Sequence, residues 1–197
     1  WFYDVNAKVN RTLDARNRMF FSLYSGGDHT VFNKLVKGYG MDWGNATATI
    51  RWNHILNDKT NVNTSAVFSN YYYKYKSLSD GLRYVWKSNM QSYQLKSDWE
   101  RYQNNLLTLK GGVNLHYFTT MPGEVGKSGK DSNITPSQMP RKSLWDAALY
   151  AEANYKFLPH FLLNAGNRGS HVFGQFIKRF FLCFDRLLLA DDPFYLR

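Results

Sequence analysis

Residues 121–130 read MPGEVGKSGK, and the Gly126-Lys127-Ser128 triplet matches the closing part of a phosphate-binding loop. That loop cradles phosphates on backbone N–H groups, so it needs a glycine five residues before Gly126, an apolar strand ahead and a helix behind. The position is Met121 and neither flanking pattern is present, which leaves a flexible Gly, Ser and Lys-rich loop. His29, His54, His116, His160 and His171 lie far apart, without a histidine or carboxylate at ligand spacing, so no metal site is expected. Serine, histidine and aspartate all occur, yet no Gly-x-Ser-x-Gly elbow aims a nucleophile. No catalytic residue and no cofactor are therefore expected, and the chain does not read as an enzyme. The single cysteine, Cys183, excludes an intramolecular disulfide framework and a cysteine-based zinc site. Four aromatic residues are better placed for chemistry: Tyr39, Trp43, Tyr84 and Trp86 fall in long polar connections, where a ring can stack on a ligand. The competing reading of the same four is strand extension above a membrane.

The elements that would carry them follow from composition and periodicity. Aromatics make up 17% of the 197 residues, yet mean hydropathy is −0.50. Strands with one greasy and one wet face give that pairing. No run of 18 apolar residues occurs, so a membrane-spanning helix is absent. A membrane β-barrel stays open, because its strands need only about 9 to 11 tilted residues. The net charge of +10 is spread along the chain and forms no basic stripe, so nucleic acid is not an expected partner. The chain starts at Trp1 inside a strand-like run with no leader, and is expected to be an internal piece of a longer protein.

Residues 144–157, LWDAALYAEANYKF, are rich in helix formers, but the helical stripe from Trp145 through Leu149 runs into Glu152 and Lys156. Period two fits better. Trp145, Ala147, Leu149, Ala151, Ala153, Tyr155 and Phe157 form one apolar face, with Asp146, Glu152 and Lys156 on the other. Val5 alternates with Asp4 and Lys8, Phe21 follows Arg18, Ile50 precedes Arg51, Phe68 closes another run, and Leu109 precedes Lys110. About eight strands emerge. Tight links (RTLDAR, LNDKT, RYQNN, LPH) alternate with long ones at 26–44, 73–89 and 119–142. Loop lengths that alternate by end belong to outer-membrane barrels, with short periplasmic turns and long external loops. The expected fold is all-β: part of an antiparallel up-and-down transmembrane barrel. Val5, Phe21, Ile50, Phe68, Leu109 and Leu149 would face lipid, and Asp4, Lys8, Arg51, Lys110, Asp146, Glu152 and Lys156 the lumen. Trp1, Tyr3, Trp52, Tyr117, Trp145, Tyr155 and Phe157 suit the interfacial girdles.

The runs FYDVNAKVN, NRMFFSLYSGGD, WGNATATIRWNHILNDK, NTSAVFSNYYY and LWDAALYAEANYKF resemble the barrel region of TonB-dependent outer-membrane receptors, in the form that carries a carboxypeptidase-regulatory-like domain. The resemblance covers residues 1–169. It implies a larger barrel in the outer membrane of a Gram-negative bacterium, closed by a plug and importing a scarce or large ligand with energy from TonB. Plug and TonB would be met only through parts outside these 197 residues. Membrane lipid is the other expected partner. Lys34, Lys37, Lys127, Lys130, Arg141 and Lys142 are candidates for lipopolysaccharide phosphates. Two alternatives stand beside this: a small complete eight-stranded barrel with a structural or adhesive role, and a soluble all-β carbohydrate-binding sandwich. Residues 170–197 lose period two, as in Phe180-Phe181-Leu182 and Leu187-Leu188-Leu189, and are expected to be an atypical tail, either a short amphipathic helix or, the favoured reading, sequence translated out of frame at the end of a truncated gene.

A membrane-crossing 144–157 has a direct consequence. Leu149→Arg is expected to weaken insertion into lipid vesicles by about 2 to 4 kcal/mol, whereas Glu152→Gln leaves it unchanged. Urea titration of the inserted chain measures both.

Overall fold

The computed structural model describes residues 1–33, 38–77, 83–129, 132–158, 161–174 and 180–185. Ten strands follow in chain order: β1 (Phe2–Thr12), β2 (Asn17–Asn33), β3 (Gly38–Asn57), β4 (Thr60–Ser77), β5 (Tyr84–Tyr102), β6 (Leu107–Lys127), β7 (Ser137–Gln138), β8 (Lys142–Leu158), β9 (Phe161–Gly174) and β10 (Phe180–Asp185). They form one sheet in the order β1-β2-β3-β4-β5-β6-β8-β9-β10, with the two-residue β7 attached to β6. Every pairing is antiparallel. This is an up-and-down sheet, as the alternation implied. Among the described residues β1 and β10 do not pair with each other, so the wall is open.

Three tight turns close in the same way. Asp14 Oδ1 accepts from the Arg16 N–H at 2.7 Å, Asn57 Oδ1 from Lys59 at 3.0 Å, and Asn104 Oδ1 from Leu106 and Leu107 at 2.9 and 2.8 Å. An Asx side chain that mimics a backbone turn fixes the hairpin and therefore its register.

The register sorts the side chains into two faces. One transverse row runs Val9, Phe21, Ile50, Ala66, Leu95, Leu115 and Ala147. The adjacent row, one residue along, runs Lys8, Ser22, Thr49, Val67, Gln94, His116 and Asp146 on the opposite face. All six residues expected to face lipid lie on the first face, and all seven expected to line a lumen lie on the second. In the first row, Val9 stands three residues from the end of β1 at Thr12, and Ala147 eleven from the end of β8 at Leu158. The strands thus slip by roughly one residue each, the stagger that tilted barrel strands require.

Among the described residues no second sheet covers the apolar face. Leu149 is 64% exposed and Val5 59%, while Val62 and Ala148 are the only buried apolar side chains among the described residues. A sandwich would bury that face against a partner sheet, so the soluble alternative lacks its core.

The strands are longer than the sequence pattern indicated. β6 has 21 residues and β3 has 20. At about 3.3 Å per residue and a tilt near 40°, such strands rise about 50 Å, twice the apolar band of about 25 Å. The stretches expected as long loops are largely hairpin extensions. Pairing runs from Gly27 with Gly44 out to Asn33 with Gly38, and from Tyr73 with Ser88 out to Lys76 with Val85. Of 119–142, the first part through Lys127 belongs to β6, and β7 pairs with Glu124 and Val125. β9 continues past Gly169 to Gly174, and Phe180–Asp185 pairs with it. Residues 175–179 and 186–197, including Leu187, Leu188 and Leu189, lie outside the described residues.

Two glycines are placed under aromatic rings. Gly27 and Gly44 are cross-strand neighbours in one row, flanked by Tyr3 and Tyr72. A Cβ at Gly44 would stand 2.7 Å from the Tyr72 ring and 2.8 Å from the Gly26 carbonyl. Gly44→Ala is expected to destabilise the folded sheet by about 1 to 3 kcal/mol through overpacking. Gly126→Ala, where a Cβ would meet nothing within 4 Å, is expected to stay within about 0.5 kcal/mol. Equilibrium unfolding in detergent micelles compares them.

Candidate functional site

Polarity inverts partway up the wall. In the lower part of β3, Ala46, Ala48 and Ile50 share the apolar face and Asn45, Thr47 and Arg51 the polar one. Above Asn45 the roles exchange: Gly44, Asp42 and Gly40 continue the formerly apolar face, and Trp43, Met41 and Tyr39 the formerly polar one. β4 changes between Phe68 and Asn70, then places Lys74 and Lys76 on one face and Tyr71, Tyr73 and Tyr75 on the other. β5 changes between Tyr93 and Gln91. Just below the change, Phe68, Tyr93, Tyr117 and Trp145 form a continuous belt across four adjacent strands, with ring centroids 5.1, 6.2 and 4.7 Å apart. Trp1 and Tyr3 stack at the same end of β1, 6.3 Å apart. Trp52 and Tyr155 lie toward the turn end, whereas the Phe157 side chain lies outside the described residues.

Below the change, the polar face is bonded to itself. Lys96 Nζ lies 2.9 Å from Asp98, and Lys110 3.5 Å from Glu100. Tyr150 crosses over Gly112 to donate to Asp98 Oδ1 at 2.5 Å. Glu152 accepts from Asn154 and Asn164 at 2.9 and 3.0 Å. A cleft of about 470 Å³ opens here, lined by Gln94, Lys96, Asn114, Tyr150, Glu152 and Arg168 among others.

Above the change, the same face becomes an aromatic platform. Phe32 stacks on Tyr39 at 4.9 Å, Tyr39 on Tyr75 at 6.2 Å, and Tyr75 meets Tyr84 at 5.9 Å. Tyr73 meets Trp86 edge-on at 6.1 Å. Two of the four predicted ligand aromatics, Tyr39 and Tyr84, therefore join one chain of rings across four strands, and Trp86 stands beside it against Tyr73, in register with Tyr75. Trp43 shares their face, in register with Tyr73. All four stand on strands and not on loops. Phe32, Tyr73 and Tyr75 were not singled out from sequence, although the period-two spacing in YYYKYK marks the last two. Burial and the neighbouring hydroxyls of Tyr84, Tyr73 and Tyr39 push the Tyr75 phenol up.

On the other face at this level, Asp42 bonds His29 and lies 3.6 Å from Lys74, and the Trp1 ring stacks on His29 at 5.3 Å. Burial pushes the Asp42 carboxyl up, but the His29 bond and the charges of His29 and Lys74 outweigh it and hold the group below the ordinary carboxylate range. Of the predicted lipopolysaccharide contacts, Lys127 and Lys142 fall on the platform's face and Arg141 on the face opposite. Lys34, Lys37 and Lys130, like His160, lie outside the described residues. No group of three metal-ligating side chains occurs among the described residues.

Solved structures with this wall are outer-membrane proteins. The ferric preacinetobactin receptor BauA of Acinetobacter baumannii superposes with a TM-score of 0.66 at 11% identity, over 93% of this chain and 36% of its own. The outer-membrane transporter YddB of Escherichia coli gives 0.72 at 11% identity, over 92% and 28%. The siderophore receptor PiuA of Acinetobacter baumannii gives 0.59 at 16%, over 87% and 35%. The wall has the fold of an outer-membrane receptor barrel. This chain spans about a third of the length of those structures. No family model and no curated protein sequence matches it.

The lowered Asp42 carboxyl sets a pH dependence. A depressed folded value contributes stability above the ordinary carboxylate value of about 3.9 and loses it as pH falls through the folded one. Protection of the β2 and β3 amides around His29 and Asp42 against hydrogen exchange is expected to fall only below about pH 4, and to be low at every pH in Asp42→Asn.

Proposed function

We propose that the chain is a length of barrel wall from a TonB-dependent outer-membrane receptor, and that the platform around Tyr39, Tyr75, Tyr84 and Trp86 receives the ligand at the outer mouth before import. The observation that carries this is the inversion of polarity at one level across β3, β4 and β5. A wall in lipid needs its apolar side chains outside within the bilayer and has no such need above it. The part inside the membrane then offers a polar, self-bonded face to a plug, and the part outside offers rings to a ligand.

The outer membrane of a Gram-negative bacterium is the location this reading requires, with the plug and TonB as partners and no reaction catalysed. Residues 1–169 carry the reading; within 170–197, set apart from sequence as an atypical tail, β9 still runs to Gly174 and Phe180–Asp185 pairs with it. The likeness to a ferric preacinetobactin receptor and a siderophore receptor supports a receptor role without naming this chain's ligand.

The test is solvent and protease. The chain is expected to remain aggregated in buffer and to fold only with detergent or lipid, with heat-modifiable migration on gels. Trypsin added outside vesicles is expected to cut at Lys127 and Lys142 and to spare Lys110 and Lys156. A folded monomer in plain buffer would overturn the reading.

A further inference from the structure

We propose that the outward face just above the aromatic belt binds a phosphorylated membrane lipid, its phosphate held by Lys74, Lys87 and Arg141 and an acyl chain lying in the groove below Arg141. This rests on the membrane reading above.

Lys74 and Lys87 stand directly opposite each other in the β4/β5 register. Like charges so placed repel, and an anion between them turns repulsion into two charge-assisted bonds. Lys74 has one carboxylate, Asp42, which also serves His29. Lys87 is exposed, and although Glu124 is its register partner on β6, no ion pair closes between them. Lys76, two residues beyond Lys74 on the same face, is exposed as well.

The second observation is apolar. A groove of about 910 Å³ lies on this same face, lined by Phe21, Ile50, Phe68, Leu115 and Trp145, with Arg141 at its rim. Counted along the strands, Lys74 and Lys87 stand six residues above Phe68 and Tyr93 of the belt, and Arg141, ahead of β8, stands four above Trp145, so all three cations lie above the belt on this face. A free phosphate would use the cations and leave the groove empty. A lipid with a phosphomonoester headgroup uses both, with its phosphate at the level where rings give way to cations.

The full 197-residue chain folded in non-ionic detergent would be analysed by native mass spectrometry with equal amounts of phosphatidic acid and phosphatidylcholine of matched acyl chains. Retention of phosphatidic acid at least about fivefold above phosphatidylcholine is expected, on the scale of one cation near a lipid phosphate. The Lys87→Gln/Arg141→Gln pair is expected to abolish that preference. The Lys127→Gln/Lys142→Gln pair, on the opposite face, is expected to keep it. Equal retention of the two lipids, equal loss in both variants, or displacement by inorganic phosphate at the lipid's concentration would each overturn the lipid site while leaving the membrane reading intact. A chain that folds in buffer and takes up neither lipid would overturn both.

Discussion

Every backbone N–H and C=O in a bilayer must find its partner within the protein, because hydrocarbon offers none and each orphan costs several kcal/mol. On the proposed membrane reading, the rest of this structure follows from that constraint. It explains why the sheet carries unbroken antiparallel ladders of 17 pairs between β2 and β3 and 17 between β4 and β5. It also explains why the described turns are closed by a side chain: Asp14, Asn57 and Asn104 fix each hairpin without a residue to spare. A slip of one residue would carry Lys96, Asp98 and Glu100 to the lipid side. The Asx closures therefore protect the sorting of the faces as much as the turns themselves.

Once the register is fixed, solvent on each side dictates residue type. On the membrane reading, the outer face within the bilayer would need only apolarity, which would account for alanine at Ala46, Ala48, Ala66, Ala147 and Ala151. The inner face there must satisfy polar groups among themselves, as Tyr150 does for Asp98. Above the bilayer the outer face meets water and headgroups, and lysine and aspartate return to it. The inner face is then released from pairing duty and fills with tyrosine and tryptophan, which meet stacked, tilted or edge-on across strands. Tyr3 and Tyr72 over Gly27 and Gly44 mark the outer boundary: the glycines leave room for rings that lie along the sheet instead of projecting from it.

How much of this could be read from the residues depends on where contrast survives. LWDAALYAEANYKF gave up its helical look because seven alternate positions were apolar, and its neighbour relations place Trp145, Leu149 and Tyr155 opposite Asp146 and Glu152. The extensions were harder to see. GYGMDW alternates just as strictly as the membrane segments, but its apolar members occupy the other phase, so a search for one continuous greasy face ends at Ala46 and takes the remainder for loop. The same phase change hid the grouping of Tyr39 with Tyr75 and of Lys74 with Lys87, since those contacts arise from cross-strand register and not from spacing along the chain. Spacing did identify Tyr39, Tyr84 and Trp86 as candidates; only the register brings them together.

The open sheet edges complete the reasoning. All eleven residues of β1 are exposed, and among the described residues one side of that strand has no ladder partner. In water such an edge invites pairing with another chain; in lipid its backbone groups that lack a ladder partner are costly. Further strands over β1 and the far edge would therefore stabilise the sheet in a bilayer beyond what these residues achieve by themselves. An eight-strand barrel closed on itself would meet that need only by joining β1 to the last strands, and no such pairing occurs among the described residues. A wall completed by additional staves meets it without altering any register found here. That is the arrangement expected of a chain that superposes along nearly its whole length on about a third of much longer receptors.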